Sequence, residues 1–130
     1  MPSMSRSFAA LSALTLLASC SPPSIEISIA EKSRQSVVTL SQQWGWIFSD
    51  RKAPCVYRIS LYRGDKEDTQ PVWEAEAEGD VQCVHDLSSF VIGQAPAGFA
   101  STVPWQRSTK GPHHLLVYGI GEGRASITLP

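Results

Sequence analysis

The chain has 130 residues, 42% of them hydrophobic, with 11 Lys and Arg against 12 Asp and Glu for a formal charge of −1. That length suits a single domain with a modest core, and the near-balanced charge leaves no basic patch of the kind that nucleic-acid binding requires. There is no asparagine, so N-x-Ser/Thr acceptor sites are absent.

The first segment reads as an export signal. Met1 to Arg6 carries one positive charge and no acid, Phe8 to Leu17 is an apolar run, and the small residues Ala18 and Ser19 precede Cys20. A charged start, an apolar stretch of about 10 residues and small residues at the cut describe a secretory signal. The run predicts a signal helix over residues 1–19 that is too short to span a bilayer, which takes about 20 apolar residues.

Leu17-Ala18-Ser19-Cys20 resembles the lipobox of bacterial lipoprotein precursors. The resemblance implies cleavage before Cys20, a thioether-linked diacylglycerol on its sulfur, and acylation of the new amino group by a chain such as palmitate. It implies a membrane partner through that lipid, since one acyl chain binds marginally and two or more hold stably. In similar lipoproteins the residue after the cysteine influences sorting. Ser21 is not the aspartate associated with inner-membrane retention, so the expected place is the outer membrane, facing the periplasm.

The processed chain would run from Cys20 to Pro130, with residues 20–24 a tether stiffened by Pro22 and Pro23 and residues 25–130 the folded domain. Its two cysteines, Cys55 and Cys83, read as a disulfide because the periplasm is oxidising. Two free thiols or a metal-binding pair are the alternatives.

Period-2 alternation begins at Ile25-Glu-Ile-Ser-Ile29, the pattern of a half-buried strand. After a polar interval come Val37 to Leu40 and then Trp44-Gly-Trp-Ile-Phe48, where Trp44, Trp46 and Phe48 would share one strand face. Cys55 to Tyr62 predicts a strand with Cys55, Tyr57, Ile59 and Leu61 inward and Arg58 and Ser60 facing water. In Val72 to Glu78, Trp73, Ala75 and Ala77 point one way and Glu74, Glu76 and Glu78 the other. Val81 to His85 reads as a further strand, Phe90 to Ile92 begins a Gly-, Ala- and Pro-rich stretch, and His114 to Tyr118 and Ala125 to Leu129 close the chain.

About seven short strands with frequent turn signals predict an all-β antiparallel sandwich. The Tyr118 strand, Gly119 to Gly123 and the last strand resemble immunoglobulin-like domains of the fibronectin type III kind. The resemblance implies a small sandwich. Cys55 and Cys83 sit too close in sequence for the inter-sheet pin of antibody domains, so a bridge between neighbouring strands or to a loop is expected.

Several groups of residues invite a functional reading. Gly119-x-Gly121-x-Gly123 is followed by a strand and not a helix, which favours a hairpin over a phosphate cradle. Arg63-Gly64-Asp65 reads as a charged turn. His113 and His114 are adjacent, so on a strand they face opposite ways and cannot share a metal; no metal or cofactor is expected. Glu74, Glu76 and Glu78 form a carboxylate row suited to Ca²⁺ or a basic partner, or, as such rows more often are, a solvated face that discourages edge pairing. Trp105, flanked by Pro104, is either a loop anchor for a partner or a core tryptophan. The expected function is a non-catalytic binding or structural module with an envelope protein as partner. The alternatives are an immunity-type lipoprotein that neutralises a toxin by binding, and an envelope hydrolase using His85, Asp86 and a serine.

Overall fold

The computed structural model describes residues 22–45, 50–67, 69–79, 83–106 and 109–130. The signal segment, Cys20, Trp46 and Phe48 lie outside the described residues. Among the described residues no helix is long and apolar enough to cross a membrane.

The chain enters the fold as a hairpin. β1 (Ile25–Lys32) pairs along its whole length with β2 (Gln35–Trp44) across the two-residue turn Ser33-Arg34. Both turn residues have positive φ, 51° and 62°, the backbone that matches strand twist in a tight hairpin. Ile25 is buried and Ile27 and Ile29 pack on the core, while Ser36, Val38, Leu40 and Gln42 of β2 form an alternating buried row. The other edge of β2 is shared by two short strands. β3 (Asp50–Lys52) pairs with its last three residues and β6 (Ser89–Val91) with Val37 to Thr39.

The second sheet has the order β7-β5-β4-β8-β9, formed by β4 (Val56–Arg63), β5 (Trp73–Ala77), β7 (Phe99–Val103), β8 (Gly111–Gly119) and β9 (Gly121–Leu129). All pairings are antiparallel. The two sheets face each other over one apolar cluster in which Trp73, Ile59, Leu61, Leu115, Val117 and Val38 are fully buried. Burying each such side chain contributes about 1.5–3 kcal/mol. Trp73 bridges the layers, its ring 6.3 Å from Phe90 of the first sheet. The cluster runs from Ile25 to Leu129. The fold is therefore the expected all-β sandwich, with nine strands among the described residues in place of about seven.

The glycine-rich end of the chain lets the two sheets close. A Cβ on Gly123 would lie 2.5 Å from the carbonyl oxygen of Ile25, and one on Gly121 would strike that of Pro23. Edge strand β9 can approach β1 only because those positions lack side chains. Gly121 also turns the β8–β9 hairpin with φ 95°. The motif is thus a hairpin and close-approach device, as its strand context indicated.

Three local expectations are corrected. The register of β4 shifts between Val56 and Arg58; this bulge turns Val56 into the core and leaves Tyr57, expected inward, 40% exposed. Ser60, expected to face water, is fully buried, its hydroxyl donating to Glu74 on the outer face of the sheet. Within the expected strand Val81 to His85, the described part contributes only an isolated bridge from Val84 to Val56.

Candidate functional site

The two ends of the sandwich differ, and Gln42 defines the first. Its place continues the inward row of β2, yet it is polar and 1% exposed. Its side-chain amide nitrogen donates both hydrogens, to Pro23 O at 2.7 Å and to Ile120 O at 2.6 Å. One side chain thereby fixes the segment entering β1 and the β8–β9 turn. We call this the tether end, because Pro23 lies three residues from Cys20. The nearby Cys55–Cys83 disulfide has a Cα–Cα distance of 5.4 Å. It joins the residue before β4 to a loop that also bridges Val56 through Val84, with reciprocal hydrogen bonds of 3.0 and 2.7 Å. As expected, it ties a strand to a loop.

The opposite, distal end carries a cleft of about 440 Å³ whose lining includes Arg34, Ile92, Gln94, Trp105, Thr109 and Leu129. Arg34 holds its left-handed conformation at the lip, where the β1–β2 turn lies. Trp105 is half-buried and meets Trp73 edge-on, with centroids 6.5 Å apart and planes at 86°. Its other contact is Gly93, where a Cβ would come within 2.7–2.9 Å of the indole ring. Trp105 therefore packs against the core, as one of its two expected roles had it, and also walls the cleft.

The carboxylate row is arranged as the alternation implied, with Trp73 and Ala75 buried and Glu76 and Glu78 exposed. Glu74 is different: its two oxygens accept from Ser60 Oγ and Thr102 Oγ1, each at 2.9 Å. The row does not guard a sheet edge either, because β7 pairs outside β5.

The histidines do not converge. His113 is 2% exposed and donates from Nδ1 to Gly111 O at 2.9 Å, while its Nε2 has no partner among the described residues. His114, on the other face, meets Glu67 Oε1 at 2.7 Å, and Arg124 Nε donates to the same oxygen at 2.7 Å. Arg124 also donates to Glu122 at 2.9 Å. The Arg124 hydrogen bond above all lowers the Glu67 pKa below its ordinary 4.5; burial opposes it, and the His114 hydrogen bond adds a smaller lowering. Sequence reading missed this cluster, which spans 47 residues between Glu67 and His114.

His85 and Asp86 occupy an exposed turn, with Asp86 at φ 58°. The nearest potential ligands to His85 are the Cys55 and Cys83 sulfurs, all within 4.8 Å of one another. Those sulfurs are bonded to each other, so they offer no thiolates for a metal. Among the described residues no serine hydroxyl is hydrogen-bonded to His85.

On the outer face of the second sheet, the Arg58 guanidinium lies 4.6 Å above the Tyr118 ring, which also stacks on Tyr57 at 6.0 Å and 16°. This stack follows from the β4 bulge and carried no local signal in the sequence.

No protein-family model matches the chain, and neither a curated protein nor a solved structure matches it at a significant level.

Proposed function

We propose that this protein is a lipid-anchored envelope protein, held through acyl chains on Cys20 in the outer membrane, whose β domain binds another envelope protein without catalysis of its own. The observation that carries the reading is the pinning of Pro23 by Gln42 at one end of the sandwich while the Trp105 cleft opens at the other. A lipid on Cys20 holds the first end at the membrane and presents the second to the periplasm. Ser36 at the cleft and Gln42 at the tether end are six residues apart on β2, about 20 Å at strand rise.

The cleft combines an apolar floor of Ile92 and Leu129 with the Arg34 and Gln94 side chains at its rim. That mixture suits an apolar anchor on a protein loop flanked by polar contacts. The exposed carboxylates Glu76 and Glu78 add a charged face that steers a basic surface and weakens as salt rises.

Fractionation of cells expressing wild type and Cys20→Ser tests the anchor. Wild type belongs in the outer membrane and the variant among soluble periplasmic proteins; finding both soluble removes the anchor reading. Crosslinked capture from envelope extracts tests the binding role. Arg34→Ala with Gln94→Ala, or Glu76→Ser with Glu78→Ser, should weaken capture of a specific partner at least tenfold. If neither pair alters any captured protein, the binding reading falls. A toxin among the partners would identify the immunity type.

A further inference from the structure

The tether end is also where the exposed apolar surface gathers. Among the described residues the large hydrophobic side chains with the greatest exposure are Trp44 at 39%, Tyr57 at 40% and Ile120 at 48%. They come from three different elements, and all three lie at the Pro23 end. Trp44 closes β2 two residues beyond Gln42, which itself pairs with Ile25. Ile120 makes the β8–β9 turn, its amide donates to Cys55 O at 3.0 Å, and its carbonyl accepts from Gln42. Tyr57 follows Val56, the partner of Gly119, and together with Cys83, Gly119 and Ile120 it lines a shallow depression of about 390 Å³. The distal end has a more charged character: Lys32, Arg34, Asp65, Lys66 and Lys110 are among its exposed residues.

We infer that this tip is a membrane-contact face: Trp44, Tyr57 and Ile120 rest in the headgroup layer of the phospholipid bilayer that holds Cys20. The inference rests on the lipid-anchor reading and adds to it a direct contact between the folded domain and lipid. Tether length carries it. Two residues, Ser21 and Pro22, separate Cys20 from Pro23, so the three steps between them reach at most about 10 Å, and Pro22 and Pro23 resist folding back. The tip therefore stays within about 10 Å of the membrane, whereas the distal end stands a strand length away.

The side chains suit that layer. Trp and Tyr concentrate at membrane–water interfaces because each joins an apolar ring to a polar tip. Two ion pairs at the same end, Arg51 with Glu26 and Lys52 with Asp50, bring no net charge to the headgroups; the exposed carboxylates Glu76, Glu78 and Asp86 on the Tyr57 side lie outside these pairs. A second copy is the weaker occupant. Each aromatic side chain buries about 150–250 Å² when covered, so Trp44 and Tyr57, less than half exposed, together with the smaller Ile120 offer at most on the order of 250 Å². A stable dimer buries about 800 Å² per partner.

The test is hydroxyl-radical footprinting of the protein in phosphatidylethanolamine/phosphatidylglycerol vesicles against soluble Cys20→Ser. Intact mass first establishes whether Cys20 carries lipid. If it does not, the anchor reading fails by itself. The processed chain is then coupled through Cys20, the one cysteine outside the disulfide, to maleimide-headgroup vesicles, and the footprint still decides. Oxidation of Trp44, Tyr57 and Ile120 should slow at least threefold on vesicles while peptides around Arg34 and Lys110 keep their rates. Tyr57→Asp with Ile120→Asp, both at exposed sites, should abolish the protection of Trp44 with the lipid still attached. Unchanged rates at all three tip residues on vesicles overturn the inference. So does equal protection of concentrated Cys20→Ser protein without vesicles, which would make a second copy the occupant.

Discussion

Replacing Gln42 by methionine keeps its length and removes its donors, and the structure sets what that costs. The amide holds Pro23 O at 2.7 Å and Ile120 O at 2.6 Å, so two hydrogen bonds are lost and two carbonyls must find water. Each bond contributes about 0.5–1.5 kcal/mol net, and the carbonyls lie at an end of the sandwich where water can reach them. The expected loss is therefore about 2 kcal/mol. For a domain of this size that lowers Tm by on the order of 10 °C. Gln42→Glu should be worse at pH 7, because a carboxylate only accepts and would face two carbonyl oxygens. It should recover part of its stability in acid, where the protonated group donates once. Urea denaturation of the disulfide-intact Cys20→Ser protein measures both variants, and hydrogen exchange should quicken at Ser24 and Ile25 first. A loss below about 0.5 kcal/mol for Gln42→Met, the range of neutral surface changes, with exchange unchanged, would refute the pinning argument.

Removing the disulfide by Cys55→Ala with Cys83→Ala opens a loop with a separation of 28 residues and should cost roughly 3–4 kcal/mol in the chain-entropy view, read from the urea midpoint. Gly93→Ala forces a Cβ to within 2.7–2.9 Å of the Trp105 ring at a φ of 90°; a loss of about 1–3 kcal/mol with a shift in tryptophan emission is expected, and an unchanged spectrum would contradict the packing. Glu67, held below its ordinary 4.5 chiefly by Arg124, contributes stability that is present above that value and is lost as pH falls through the lower folded value. Glu67→Gln should flatten that part of the acid-denaturation curve; an unaltered curve would show that the ion cluster contributes nothing.

What the sequence showed depended on how local each cause is. Strands β1, β5 and β9 announce themselves because one face packs on the core and the other meets solvent, so alternation survives in the residues themselves; β8 shows instead as a short apolar run, Leu115 to Val117, buried on both faces. The β1–β2 turn was opaque because Ser33 and Arg34 adopt a backbone usually signalled by Asn-Gly. The bulge at Val56 reversed Tyr57 for a reason set by pairing with β8, which lies 50 or more residues later in the chain. Gln42 did leave a trace. It falls on the inward period of Ser36, Val38 and Leu40, and a polar residue on an apolar period asks for a buried partner. That partner could not be named, since one of its carbonyls belongs to Ile120, 78 residues away.

Anchorage and orientation are separable properties, and on the proposed reading this fold assigns them to different residues. Lipid on Cys20 would decide whether the protein stays on the membrane; Gln42 decides whether the domain is rigidly continuous with its tether. A freely jointed tether would let the Trp105 cleft sweep every height its length allows, lying flat as often as upright. With Pro23 bonded into the end of the sandwich, the remaining freedom is confined to a few residues. With lipid on Cys20 the cleft would then occupy a narrow layer about a strand length above the headgroups, which would raise its effective concentration toward any partner fixed at that height. Gln42→Met should therefore leave membrane fractionation untouched while reducing capture of a membrane-bound partner more than of the same partner in solution. Equal loss toward both forms would mean that the pin serves stability alone.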